Sequence, residues 1–85
     1  MKEFKVGDKV TYCPGNQVCL LEITKIDEKC KHIDFKRYTY VGNTYDESMY
    51  ETGTALMGRD EGGEYIQVDH WLTRKYCIRH IIYCE

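Results

Sequence analysis

At 85 residues, with 42% hydrophobic content and a formal charge of −2, the chain fits one domain spanning residues 1–85 and excludes a second core or a disordered protein. A domain of this size buries little more than ~60% of its unfolded surface, which disfavours a deep catalytic cleft and favours shallow surface sites. With 14 acids against 12 bases, nothing in the overall charge demands a nucleic-acid partner.

In chain order, Asp8 to Cys13 alternates, with Val10 and Tyr12 on one face, and predicts a first strand. Pro14-Gly15-Asn16 reads as a turn, because proline presets φ and glycine allows a positive one. Val18 to Ile26 is rich in branched aliphatics, and its period slips between Leu20 and Ile23, the mark of a bulge or a buried stretch. After a polar turn at Asp27 to Lys31, His32 to Val41 alternates. Ile33, Phe35 and Val41 are expected on one face, and His32, Asp34, Lys36, Tyr38 and Tyr40 on the other. Gly42 to Gly53 is the longest irregular piece, and Asp46 is placed to cap a short turn of helix there. Thr54 to Gly58 is a short strand candidate, and Arg59 to Gly63 is a strong hairpin turn. Glu64 to Asp69 alternates, His70 to Lys75 is expected to turn the chain, and Tyr76 to Tyr83 reads as the last strand. The fold class is therefore all-β: five or six antiparallel strands in a barrel, with one long loop.

The opening Phe4-Lys5-Val6-Gly7-Asp8-Lys9-Val10, followed by a turn and an aliphatic strand ending in Ile23 and Ile26, resembles the start of small SH3-like barrels such as the KOW and Tudor-like families. The late segment YIQVDHW followed by a final strand is similar to the same class. The resemblance covers strand order over most of the chain and carries over no functional residues.

Cysteine usage points to a reducing compartment. The five cysteines are an odd number, and neither a signal-peptide core nor a membrane-length apolar run is present. A cytoplasmic location is the expectation. Cys13, Cys19 and Cys77 are read as small buried hydrophobes. Cys77, His80 and Cys84 carry zinc-ligand types, as do Cys30 and His32, but paired CxxC knuckles are lacking and residues 77 and 80 face opposite sides of a strand. No metal or other cofactor is expected. Cys/His nucleophilic catalysis lacks a strained elbow or an oxyanion loop, so no enzymatic activity is expected and the histidines are assigned to surface or strand-edge positions.

Two binding readings remain. Between Asn43 and His70 there are seven acids and one base, Arg59, whereas Trp71 to His80 holds three bases and no acid. In the first reading, Tyr45, Asp46, Glu47, Tyr50 and Glu51 in the long loop, joined by Asp60, Glu61 and Glu64 in the next turn, form a protein-binding surface. Tyrosine supplies rigid contact area and carboxylates meet a partner's Arg or Lys. By size and charge, though not by motif, such a chain is similar to the small inhibitors of phages and mobile elements, anti-CRISPR and anti-restriction proteins among them, which mask basic surfaces of host complexes. In the second reading, Lys36, Arg37, Tyr38 and Tyr40, with Trp71, Arg74 and Lys75, form an RNA- or DNA-binding platform in which bases neutralise phosphate and rings stack on nucleobases. A homodimer through the edge of the last strand is a further expectation.

Overall fold

The computed structural model describes residues 3–13, 15–73 and 75–84, and for 70–73 the backbone alone. Six strands follow one another: β1 (Lys9–Tyr12), β2 (Cys19–Asp27), β3 (His32–Thr39), β4 (Glu51–Asp60), β5 (Gly63–Thr73) and β6 (Tyr76–Tyr83). Each pairs antiparallel with its sequence neighbour, giving one six-stranded sheet in the order β1-β2-β3-β4-β5-β6. The sheet curls on itself into a small half-open all-β barrel. Among the described residues no helix is long and apolar enough to cross a membrane.

Alternation decides which face turns inward. Cys19, Leu21 and Ile23 on β2, Ile33 and Phe35 on β3, and Ile66 and Val68 on β5 form the core. Leu21, Ile33 and Ile66 are completely buried, and burying each is worth about 1.5–3 kcal/mol. The expected bulge is present but falls later, between Ile23 and Lys25. Phe4, ahead of β1, is buried in the same core.

Several boundaries differ from the sequence expectation. β4 runs the full length from Glu51 to Asp60 despite two internal glycines. The space above each glycine is filled by a neighbour's ring: a Cβ at Gly53 would lie 2.7 Å from Cζ of Phe35, and one at Gly58 would collide with Tyr65. Ladder pairing holds the strand where propensity would not. β5 continues through His70–Thr73 instead of turning there, so β5 and β6 form one long hairpin. Strand β3 stops at Thr39, and Val41 is exposed rather than inward-facing. Of the cysteines expected to be buried, Cys19 is, whereas Cys13 is exposed and Cys77 half-buried. His80, expected at the surface or a strand edge, lies on the edge strand β6, where it is half-buried with its ring edge-on to Tyr12 at 5.2 Å. Pro14 lies outside the described residues.

The two ends of the described chain meet at one residue. Glu64 accepts the Phe4 amide on Oε1 at 2.9 Å and the Cys84 amide on its backbone carbonyl at 2.8 Å.

Candidate functional site: the loop between β3 and β4

The segment 40–50 is built from two successive tight turns. Gly42, at φ 66°, supplies the left-handed backbone that folds Val41 onto Thr44. The Val41 amide donates to the Thr44 carbonyl at 2.8 Å. Asp46 then closes a second turn. Its Oδ1 accepts the Ser48 amide at 2.9 Å and the Ser48 hydroxyl at 2.7 Å, and its carbonyl accepts the Met49 amide at 3.0 Å. The Ser48 hydroxyl, followed by its amide, holds the Asp46 carboxyl below the usual carboxylate range. This is an Asx turn, not the helical turn that Asp46 was expected to cap.

Tyrosines fasten the loop to the outer face of β3. Tyr45 lies against Tyr38 (ring centroids 5.0 Å apart) and against Tyr40 (5.2 Å, edge-on). Tyr50 also lies against Tyr38, with ring centroids 5.8 Å apart. Lys36 places its ammonium 4.6 Å from the Tyr50 ring centroid, a cation–π contact. The Tyr38 hydroxyl donates to Glu22 Oε1 at 3.2 Å. Tyr38 is thereby 6% exposed, and burial, aided by the Glu22 charge, raises its pKa.

The two surfaces expected from the sequence thus overlap in part. Lys36, Tyr38 and Tyr40 do share a face, but the loop carrying Tyr45 and Tyr50 lies on it. Arg37 points to the other side: it stands opposite the buried Leu21 in the ladder and ion-pairs with Glu51. Trp71 is described by its backbone only, within β5, and Arg74 lies outside the described residues. Lys75 is exposed at the far end of the β5–β6 hairpin.

The acidic set divides in two. Glu51 begins β4 and Asp60 ends it, so the loop and the β4–β5 turn are separated by roughly 30 Å of strand and do not form one surface. The turn's carboxylates are occupied. Asp60 accepts the Gly62 amide at 2.8 Å and the Tyr83 hydroxyl at 2.9 Å. Glu64 accepts the Phe4 amide and the Arg59 guanidinium. Glu61 is exposed.

At the loop, by contrast, apolar side chains face water. Val41 is 81% exposed, Met49 72% and Tyr50 46%. All three line a cleft of about 420 Å³ whose other walls include Asp46, Ser48 and Glu51. Glu47 is exposed beside it and makes no hydrogen bond or ion pair among the described residues. Sequence reasoning found the carboxylates and tyrosines here but missed Val41 and Met49. The signal was available in the Gly42-Asn43 pair, which marks a tight turn just after Val41.

No protein-family model, curated protein or solved structure matches this chain.

Proposed function

We propose that this chain is a non-catalytic protein-binding module, an adaptor or small inhibitor, that docks through the loop between β3 and β4. One observation carries the reading: Val41, Met49 and Tyr50 stand exposed around a single cleft whose charged lining is Asp46 and the Arg37–Glu51 ion pair, with Glu47 exposed next to Asp46 in the chain. An apolar centre with a charged rim is the anatomy of a docking patch. Its acidic rim fits a partner that offers an apolar side chain flanked by Arg or Lys, as a basic nucleic-acid-binding protein would. That chemistry agrees with an inhibitor of the anti-defence kind. Five free cysteines agree with a cytoplasmic setting.

Nucleic-acid binding by an SH3-like or KOW-type barrel is less well supported. A stacking platform needs open ring faces, and Tyr38 is buried, with the rings of both Tyr45 and Tyr50 packed against it.

The test is affinity capture from the native cell with the parent chain, a Glu47→Lys/Met49→Asp variant and a Glu61→Lys variant in parallel, with mass spectrometry of what is retained. A protein held by the parent and by Glu61→Lys, but lost from the loop variant, is the expected result. A partner indifferent to the loop variant overturns it. Tight RNA or DNA binding that weakens steeply with salt in a gel shift would instead support the platform reading.

A further inference from the structure

The hairpin joining β2 to β3 carries a different chemistry, at a place the docking loop does not involve. Asp27 and His32 form the last paired rung of the β2–β3 ladder. Side chains so paired stand about 5 Å apart on one face of the sheet. Between them the chain folds back on itself. Oδ1 of Asp27 accepts the Lys29 amide at 3.0 Å and the Cys30 amide at 3.1 Å. Lys31 takes a left-handed φ of 56°, and its carbonyl accepts the Met57 amide from β4 at 2.7 Å. The turn is therefore tied at both ends, and it returns Cys30 over the rung. One ligand atom from each of Asp27, Cys30 and His32 lies within 4.8 Å of the other two.

We propose that Asp27, Cys30 and His32 bind a zinc ion, with water in the fourth position. A thiolate, an imidazole and a carboxylate are the three protein ligand types of zinc, and the sulfur selects against magnesium and calcium. The two anionic ligands balance the charge of a divalent ion. Around a tetrahedral zinc the ligand atoms sit roughly 3.3–3.7 Å apart, so the side chains must draw inward by about 1 Å. Cys30 is exposed and can rotate to do so. Both turn amides are held on Oδ1 of Asp27, and the second carboxylate oxygen, Oδ2, is the one assigned to the ion. Because the turn is ordered before the ion arrives, little entropy remains to be lost on binding.

Cobalt(II) is the spectroscopic probe, added to the reduced full-length chain and then displaced with zinc. One cobalt per chain is expected, with a thiolate-to-metal charge-transfer band and the intense visible bands of a tetrahedral site, both removed by equimolar zinc. Cys30→Ser should abolish the charge-transfer band. His32→Ala and Asp27→Asn should each weaken zinc about 10–100-fold. Asp27→Asn keeps an oxygen for the turn amides, so it separates loss of a ligand from loss of the turn. Far-ultraviolet dichroism of each variant should match the parent. A band of undiminished intensity in Cys30→Ser overturns the assignment, since it would come from the other four thiols. So does a cobalt spectrum without a thiolate band in the parent, or unchanged affinity in both His32→Ala and Asp27→Asn.

Discussion

The two ends of β4 carry similar sequence chemistry and put it to different uses. At one end, Asp46, Glu47 and Glu51 accompany three exposed apolar side chains. At the other, Asp60 and Glu64 are spent on amides, a phenol and a guanidinium. The difference teaches that a run of acids is not a surface. What distinguishes the docking patch from the structural turn is apolar area left in water around one cleft; carboxylates are used by the fold at both ends, Asp46 by Ser48 and Glu51 by Arg37 at the loop.

The sharpest way to break this comparison is the paired loop and turn variants. Met49→Asp within the loop should cost the partner complex about 3 kcal/mol, roughly 100-fold in Kd, while Glu61→Lys at the turn should leave Kd nearly unchanged. Equal losses at both ends would erase the distinction. Next in size is Gly53→Ala. Its new methyl would press on the buried Phe35 ring, and overpacking of this kind costs about 1–3 kcal/mol. Urea unfolding should show a lower midpoint, and because β4 leads directly from Tyr50 and Glu51, partner affinity should fall with it.

Smaller effects sharpen the turn. Hydrogen bonding to Asp60, followed by burial, raises the Tyr83 pKa. Asp60→Asn should let Tyr83 ionise closer to its ordinary value in an ultraviolet pH titration, with partner binding untouched. The smallest effect belongs to the loop in acid. Asp46 has a depressed carboxyl pKa, so the stabilisation it lends the loop is complete above the ordinary carboxylate value. It is lost as pH falls through the depressed one. The Ser48 amide resonance should shift over that acidic window, and should not move between pH 5 and 7.

Much of the fold was legible because alternation is a local signal. β6 lies where the sequence places it, β1 and β3 differ by two residues or fewer at either end, and the hairpin turn expected over Arg59–Gly63 forms but is tighter, at Glu61-Gly62. The full length of β4 was hidden because its glycines argue against a strand, and only the facing rings of Phe35 and Tyr65 explain them. The extension of β5 through Thr73 was hidden because polar residues there were read as a turn, although no Gly or Pro interrupts them. At the site, charge and aromatic content could be read, but contacts between loop and strand could not. Nothing in the order of residues says that Tyr45 and Tyr50 will both pack against Tyr38. The Asp27, Cys30 and His32 cluster was half visible as Cys30-x-His32, and Asp27 joins only once the hairpin register is known.

The shared anchoring of Phe4 and Cys84 on Glu64 has a practical corollary for tethering. Phe4 and Cys84 both meet Glu64 just after the β4–β5 turn, whereas Met49 precedes β4 at its opposite end. A label or a graft placed at Phe4 or Cys84 is therefore separated from the docking cleft by the length of that strand.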